Sequence, residues 1–223
     1  MALEDYKDLV ATAASITTIG QFFAPVFICK EIIQKGNTKD VDPMPFIGGM
    51  VMSMLMLQHG MILNDPAMIP VNVSGFTLNF IYFAIYYLYS DDKDSLHAKL
   101  AKGTAVTAIL IGYAQFESEK QVEFRFGIIV TVLMLSLIGA PLLQLGDIIK
   151  KKSTKGLPFP LIFSGTIVTF LWLLYGIIIK NVFIQFQNVV GFLLCAIQLS
   201  LFAIYPNSSE DETLLKEDGK KRN

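Results

Sequence analysis

Residues 24–39 read APVFICKEIIQKGNTK, and residues 140–155 read APLLQLGDIIKKKSTK, which is a related pattern 116 residues later. Farther along the chain, NVSGF at 72–76 returns as NVVGF at 188–192 with the same offset. Each copy therefore carries a proline and, 47 residues after it, an asparagine. Repeated apolar segments with a helix breaker and an amide at matched positions are typical of secondary transporters, so the repeat predicts a carrier.

The composition is that of a membrane protein. Hydrophobic residues make up 53% of the sequence, charged residues make up 17%, and the mean hydropathy is +0.52. The charges occur in short clusters, and the stretches between them are about as long as a helix needs to cross ~30 Å of hydrocarbon. We expect seven transmembrane helices, near residues 9–29, 44–63, 67–90, 98–116, 124–149, 157–179 and 182–205.

The distribution of basic residues predicts the orientation. Of the 18 Lys and Arg residues, 14 fall on one side of the predicted spans and four on the other. Short loops rich in positive charge remain cytosolic. We therefore expect an extracellular or lumenal N-terminus and a cytosolic C-terminus, and we interpret the polar residues 207–223 as a disordered cytosolic tail.

The repeat predicts how the helices are arranged. We expect a first triple-helix bundle at 8–90, a linker helix with its flanking loops at 91–120, and a second triple-helix bundle at 121–206. The first and fifth spans are four steps apart, so both copies enter the membrane in the same direction. The predicted fold is an all-α integral membrane protein of seven transmembrane helices, with two parallel three-helix-bundle repeats joined by an inversion linker helix (3+1+3).

Several motifs match a known family in their order and spacing. They are Ala24-Pro25 followed by lysines, PMPF at 43–46, Asn72 with Gly75, APL at 140–142, STKGLPF at 153–159, and Trp172-x-x-Tyr175-Gly176 with Asn188. Over about residues 8–206 the chain resembles the SWEET sugar transporters of the MtN3/saliva type, in particular their animal branch. The resemblance implies transport of glucose or similar mono- or disaccharides by alternating access.

Asn72 and Asn188 are the main candidates for substrate binding. An asparagine offers one acceptor and two N–H donors without a charge, so a symmetric pair can bracket the vicinal hydroxyls of a sugar. The alternative is that the amides bond to each other or to backbone across helices. Trp172 can stack on the C–H face of a sugar, unless it belongs to an interfacial aromatic belt. Its partner under the offset, Met56, either shapes the opposite wall of the site or is a packing residue.

Four prolines match those that the family places in its first, second, fifth and sixth helices: Pro25, Pro45, Pro141 and Pro158. The resemblance implies that they act as hinges near a cytosolic gate, because proline weakens the helical hydrogen-bond ladder. The alternative is that they only terminate helices. That alternative applies most to Pro45 and Pro158, since each follows a loop.

The resemblance also implies an extracellular gate. Its residues are His59, Gly60, Gly127, Tyr175 and Gly176. Many relatives carry tyrosine at the position of His59. An imidazole there can titrate near neutral pH or keep a neutral structural role.

No acidic residue lies in the middle of a predicted span, which favours transport without ion coupling. A charge inside a span is costly and is retained where it has a function. Glu31, Asp65 and Asp147 lie at predicted helix ends, where we interpret them as ion pairs or gate contacts. We therefore expect a uniporter whose direction is set by the sugar gradient.

Other protein classes fit the sequence less well. No nucleophile, base or metal-ligand set converges, and Cys29 and Cys195 are isolated, so we expect no enzyme, no metal site and no cofactor. A proton-coupled amino-acid exporter of the PQ-loop type shares the 3+1+3 plan and is the alternative, and a seven-span receptor is a remote one. The expected partners are a sugar, the lipid bilayer and further copies of the chain, but no nucleic acid. We expect the plasma membrane as the location, with the Golgi as the alternative.

Overall fold

The computed structural model describes residues 3–151, 154 and 157–205, without the side chains at 3, 138–144, 147 and 151. The predicted tail at 207–223 lies outside the described residues. A short 3-10 helix (Leu3–Tyr6) precedes the α-helices of the described part. These are α1 (Lys7–Gln21), α2 (Val26–Lys35), α3 (Met44–Ile62), α4 (Met68–Tyr89), α5 (Lys93–Phe116), α6 (Glu119–Lys151), α7 (Phe159–Ile178) and α8 (Val182–Ile204).

Five segments of the described chain are long and apolar enough to cross a membrane. One is Glu4–Lys35, which contains α1 and α2, and the others are α3, α4, α7 and α8. The other two predicted spans, near 98–116 and 124–149, are helical and form parts of α5 and α6. Both of these helices begin with charged residues, so their first turns are polar. The secondary structure of the described residues is helical, as predicted, and five of the seven predicted spans correspond to segments that could cross a membrane.

The chain divides into two compact units, Met1–Met134 and Leu135–Asn223. The division falls inside α6. In the first unit, α4 packs against α1, α2 and α3, and α3 also packs against α5. In the second unit, α7 packs against α8. Each unit therefore contains a closely packed helical hairpin, α3–α4 in the first and α7–α8 in the second.

The first predicted span is two helices, because Pro25 interrupts it. Proline has no N–H, so the carbonyl of Gln21 cannot accept its usual bond from four residues ahead and accepts one from Ala24 at 3.0 Å instead. The neighbouring carbonyl of Phe22 accepts a hydrogen bond from the Tyr82 hydroxyl of α4 at 2.9 Å. A side chain of α4 thus satisfies a backbone group that the break exposes, as the interior of a membrane requires.

The turns of the two hairpins have the same geometry at the 116-residue offset. Asn64 and Lys180 both have positive φ, 50° and 58°. The side-chain oxygen of Asp65 accepts the backbone N–H three residues ahead at 2.9 Å, and that of Asn181 does the same at 3.0 Å. These bonds cap α4 and α8, whose first N–H groups have no partner within the helix.

One glycine in each hairpin allows its two helices to approach closely. A Cβ at Gly75 on α4 would lie 2.8 Å from Ser53 Oγ of α3, and a Cβ at Gly191 on α8 would lie 2.9 Å from Thr169 Cγ2 of α7. Both pairs are related by the 116-residue offset. Small residues at such crossings are typical of helix packing in membranes, which gives these two glycines of the repeated motif a packing role.

The turn between α5 and α6 is held by the half-buried carboxylate of Glu117. Glu117 Oε2 accepts hydrogen bonds from the Tyr113 hydroxyl at 2.5 Å and from the Arg125 guanidinium at 2.7 Å. The Glu117 side chain is 12% exposed, while that of Arg125 is 52% exposed. The bond from Tyr113, helped by the backbone N–H of Ser118 and by Arg125, lowers the pKa of Glu117 from 4.5 to about 2.

Candidate functional site

Asn72 on α4 and Asn188 on α8 make the same local hydrogen bond. In each case Nδ2 donates to the backbone carbonyl four residues earlier, that of Met68 or of Ile184, at 2.8 Å. Asn72 is buried and Asn188 is half-buried. This bond uses one of the two N–H groups of each amide.

The same bond recurs at Asn79, whose Nδ2 donates to the carbonyl of Gly75 at 2.8 Å. The bond to its own helix is therefore a common way to hold an asparagine in this chain and is not specific to the candidate site. Bonding to backbone was one alternative for Asn72 and Asn188, and the structure shows it within the same helix rather than across helices. What Asn72 and Asn188 share beyond this bond is their equivalent place in the two hairpins.

Trp172 and Tyr175 form an aromatic pair one turn apart on α7. Their ring centroids are 5.5 Å apart, and the rings are nearly perpendicular at 84°. Tyr175 is completely buried, whereas Trp172 is half-buried. The contact holds the indole from one edge, a common geometry of aromatic pairs.

Met56 packs against the cluster that joins α3, α5 and α6. The buried members of this cluster are Leu55, Ala114, Phe126 and Val130. Met56 is itself half-buried. Met56 therefore has a packing role, which was one of the two alternatives that the sequence left open.

Three predicted gate residues belong to the first unit. His59 is completely buried, and its ring centroid lies 6.3 Å from that of Phe126 on α6, the residue before Gly127. Gly60 follows His59, and a Cβ at Gly60 would lie 2.9 Å from Met68 Cβ. The structure brings His59 close to the segment that contains Gly127, and it shows that Gly60 must be small for α3 and α4 to meet.

The other two predicted gate residues lie at the turn of the second hairpin. A Cβ at Gly176 would lie 2.9 Å from Ile184 Cγ2 and 3.0 Å from the backbone nitrogen of Gln185. The Gly176 carbonyl accepts bonds from the Gln185 side chain and the Asn181 N–H, both at 3.0 Å. Gly176 is thus fixed by packing and hydrogen bonds to the start of α8.

The four predicted hinge prolines occupy different backbone positions. Pro25 lies at the break between α1 and α2. Pro45 is the second residue of α3, and Pro158 immediately precedes α7. Pro141 lies within the bounds of α6, and its side chain lies outside the described part. Pro45 and Pro158 stand where proline fits the start of a helix, since an N–H there would have no partner within the helix.

Pro160 was missed by the sequence analysis. Pro43 precedes α3, and its carbonyl accepts the N–H groups three and four residues ahead, at 3.1 and 3.2 Å. Pro158 does the same before α7, at 3.0 and 3.1 Å. The structural counterpart of Pro45 is therefore Pro160, because the loop of the second copy is one residue shorter. The Pro-x-Pro pattern at 43–45 and 158–160 carried this signal.

The acidic residues at the helix ends have structural partners where they are described. Glu31 pairs with Lys35 at 2.8 Å, and Lys35 also contacts Asp40 at 3.2 Å. Asp65 caps α4 as described above. The side chain of Asp147 lies outside the described part. Glu31 thus forms an ion pair, as its position at a helix end indicated, and Asp65 caps α4.

A family model described as "Sugar efflux transporter for intercellular exchange" (MtN3_slv) matches the chain twice, at 8–94 and at 124–210. The two matches are themselves 116 residues apart, in agreement with the repeat. The family consists of transport proteins, which confirms the prediction that the chain is not an enzyme.

Curated proteins and a solved structure give the same relationship. The chain is 35% identical over 205 residues to "Sugar transporter SWEET1" of Drosophila pseudoobscura pseudoobscura, covering 91% of each protein. It is 28% identical over 214 residues to "Sugar transporter SWEET1" of Caenorhabditis elegans, covering 96% of this chain and 71% of that protein. A solved structure of a eukaryotic SWEET transporter superimposes with a TM-score of 0.83 at 22% identity, covering 91% of this chain and 98% of the other. The chain belongs to the SWEET (MtN3/saliva) family as an animal-type member.

Proposed function

We propose that this protein is a facilitative sugar uniporter, which moves glucose or similar mono- or disaccharides down their gradient by alternating access. The equivalent positions of Asn72 and Asn188 in the two repeated hairpins are the observation that carries the proposal. Each amide spends one N–H on its own helix, and its second N–H and its Oδ1 are the groups that would bind sugar hydroxyls. An uncharged pair suits a neutral substrate that must be released on either side.

Trp172 and Met56 complete the proposed binding site. The edge contact with Tyr175 fixes the indole of Trp172, and a fixed ring can stack on a sugar at little entropic cost. Met56 is proposed to shape the site from the first unit, in addition to its packing contacts. The size of this side chain would then influence the choice between mono- and disaccharides.

The proposed architecture is the 3+1+3 plan, with triple-helix bundles at 8–90 and 121–206, the linker at 91–120 and a cytosolic tail at 207–223. The twofold family match at the repeat offset supports it. The N-terminus is proposed to face the outside or a lumen. The plasma membrane is the proposed location, with the Golgi as the alternative, and several copies are proposed to associate while each keeps its own transport path.

Hinges and gates are proposed from the sites where the helices are weakened or tightly packed. The break at Pro25 supports a hinge there, and Pro45, Pro141 and Pro158 are proposed as its counterparts near the cytosolic gate. His59, Gly60, Gly127, Tyr175 and Gly176 are proposed to form the extracellular gate. The roles that Glu31 and Asp65 already have, in an ion pair and in a helix cap, support transport without proton coupling.

The test is uptake of radiolabelled glucose, and of sucrose in parallel, into proteoliposomes with and without a pH gradient. The variants are Asn188→Ala and the matched control Asn79→Ala, whose amide makes the same backbone bond outside the proposed site. We expect saturable glucose uptake that does not depend on the pH gradient, is lost in Asn188→Ala and persists in Asn79→Ala. Uptake only under a proton gradient, or of no sugar, would overturn the proposal and favour a proton-coupled amino-acid exporter.

A further inference from the structure

The first unit contains a polar pocket at the end where α2 and α4 finish and α3 and α5 begin. Its volume is about 540 Å³, within the range of roughly 300–1,000 Å³ that is common for small-molecule sites. The loop between α2 and α3 forms one wall, and the turn between α4 and α5 forms the other. This pocket is separate from Asn72, Met56 and His59, none of which lines it.

Two hydroxyl side chains in this pocket point to a ligand. Thr38 and Ser90 both line it, and each residue is only 9% exposed. Within the described part of the chain, neither hydroxyl has a hydrogen-bond partner. Neither oxygen is among the fully enclosed polar atoms without a partner, so both hydroxyls open onto the pocket and are available to a ligand that can donate or accept.

The repeat shows that Thr38 and its counterpart in the second unit are bonded differently. Thr154 is the counterpart of Thr38, and its hydroxyl donates to the carbonyl of Tyr205 at 3.3 Å. The equivalent carbonyl in the first unit is that of Tyr89, yet Thr38 faces the pocket instead. The hydroxyl that closes a helix end in one unit is therefore available to a ligand in the other.

The charges around the pocket restrict the chemistry of that ligand. Two basic residues, Lys39 and Lys99, and four acidic residues, Asp40, Asp42, Asp91 and Asp92, line the pocket. Acidic groups outnumber basic ones, which disfavours an anion. Three of the carboxylates already have partners, since Asp40 contacts Lys35, Asp42 accepts from the Met44 N–H, and Asp92 accepts from the Ser95 N–H.

A metal ion is also a poor fit. Among the described residues, no three His, Cys, Asp or Glu side chains are placed to hold one. A mixture of hydroxyl, carboxylate and ammonium groups suits a neutral molecule with many hydroxyls, which can both donate and accept. Tyr86, which is buried and bonded to the Val41 carbonyl at 3.0 Å, adds an aromatic surface to the wall.

We propose that this pocket is a second sugar-binding site, peripheral to the Asn72 and Asn188 site, with Thr38 and Ser90 as its hydrogen-bonding groups. The choice of a sugar as ligand rests on the proposed transport function. On the predicted orientation the pocket faces the cytosol, so it samples the sugar concentration on that side of the membrane.

Protection of a cysteine at the pocket rim tests the proposal. Asp91→Cys is introduced into the full chain in a Cys29→Ser/Cys195→Ser background, and its rate of maleimide labelling is measured against D-glucose concentration. We expect glucose to slow the labelling. Because a neutral hydrogen bond is worth about 1 kcal/mol, Thr38→Val should raise the half-protecting concentration about fivefold. Thr38→Ser should restore protection, and Thr77→Val, whose hydroxyl bonds its own helix, should leave it unchanged.

The outcomes separate this proposal from the transport proposal. Asn188→Ala is expected to abolish uptake and keep the protection at Asp91→Cys, because the two sites are distinct. Labelling that glucose does not slow, protection that Thr38→Val leaves intact, or protection by Ca²⁺ in place of glucose would each overturn the second site.

Discussion

The hydroxyl of Tyr82 on α4 donates a hydrogen bond of 2.9 Å to the carbonyl of Phe22, at the break between α1 and α2. The two residues are 60 positions apart in the sequence. Tyr82 is buried, and its ring also lies 6.2 Å from that of Phe46 on α3. One side chain therefore connects the interrupted first helix to the α3–α4 hairpin.

Tyr82→Phe should destabilise the first unit without changing its packing. The substitution keeps the ring but leaves the half-buried Phe22 carbonyl without its side-chain donor, which costs about 1 kcal/mol. A lower thermal-unfolding midpoint of the purified protein would show this loss. Tyr89→Phe is the control, since no hydrogen bond of the Tyr89 hydroxyl is seen within the described residues. Equal midpoints for the two variants would contradict the role of Tyr82.

Gly176→Ala should destabilise the α7–α8 hairpin by about 1–3 kcal/mol, as overpacking does. The new methyl group would meet the Gln185 backbone nitrogen at 3.0 Å, and backbone cannot rotate away as a side-chain tip can. Gly112→Ala is the matched control, because a Cβ there meets nothing within 4 Å. The comparison is made by thermal unfolding in detergent, and a midpoint for Gly176→Ala as high as that for Gly112→Ala would refute the close approach.

Acid should weaken the turn between α5 and α6. The folded protein holds the pKa of Glu117 at about 2, below its usual value of 4.5, through Tyr113, the Ser118 N–H and Arg125. A lowered carboxyl pKa stabilises the fold fully above the unfolded pKa, and this stability is lost as the pH falls toward the folded pKa. The difference in unfolding midpoint between the wild type and Glu117→Gln should therefore shrink as the pH falls from 5 to about 3.

Glu119→Gln provides the control for this experiment, since Glu119 is exposed and lies two residues farther along the chain. Its difference from the wild type should stay small over the same pH range. A Glu117→Gln difference that is constant or grows on acidification would show that the carboxylate does not stabilise the turn.

Pro25→Ala should impair transport more than Pro45→Ala. Alanine at position 25 restores an N–H to which the Gln21 carbonyl can bond, so α1 and α2 could join and the hinge would stiffen. Pro45 stands at the second position of α3, where an added N–H has no partner within the helix. Initial rates of glucose uptake at matched protein levels distinguish the two variants. Equal rates for the two variants would argue against a hinge at Pro25.

Asp65→Ala should lower stability by about 0.5–2 kcal/mol, because α4 would lose its cap. Asp65 Oδ1 accepts two backbone N–H groups, those of Ala67 and Met68, both at 2.9 Å. Asp65→Asn keeps an acceptor oxygen and should retain most of the stability, as Asn181 does at the equivalent turn of the second unit. Thermal unfolding of both variants tests this, and a loss in Asp65→Asn equal to that in Asp65→Ala would point to the charge rather than the cap.

The sequence could predict the features that depend on neighbouring residues. The apolar stretches correspond to helices, and the interruption at Pro25 follows from the chemistry of one residue. The positions of Asn72 and Asn188 followed from the repeat, and the structure gives both the same backbone bond. These features are local, so a repeated sequence produces them twice.

Other features required contacts between distant segments. The packing of Met56 against α5 and α6 could not be read from its spacing, since a methionine suits a core and a binding site equally well. The pairing of Pro45 with Pro160 was hidden by a loop that is one residue shorter in the second copy. The backbone hydrogen bonds reveal it, because Pro43 and Pro158 accept the same bonds at the starts of α3 and α7. Pro45 and Pro160 each follow two residues later.

The sequence by itself determined a twice-repeated helical membrane protein of the SWEET family. Hydropathy, the helix-breaking effect of proline and the 116-residue offset can all be read from the order of the residues. Only the tertiary structure decided that the Tyr82 hydroxyl donates to the Phe22 carbonyl at the helix break. It also decided that helices cross closely at Gly75 and Gly191. Finally, it showed that Thr38 lines a pocket while the Thr154 hydroxyl donates to the Tyr205 carbonyl. The physical reason is that a hydrogen bond or a close approach requires two groups to meet, and the partner of each of these residues lies on another helix or loop.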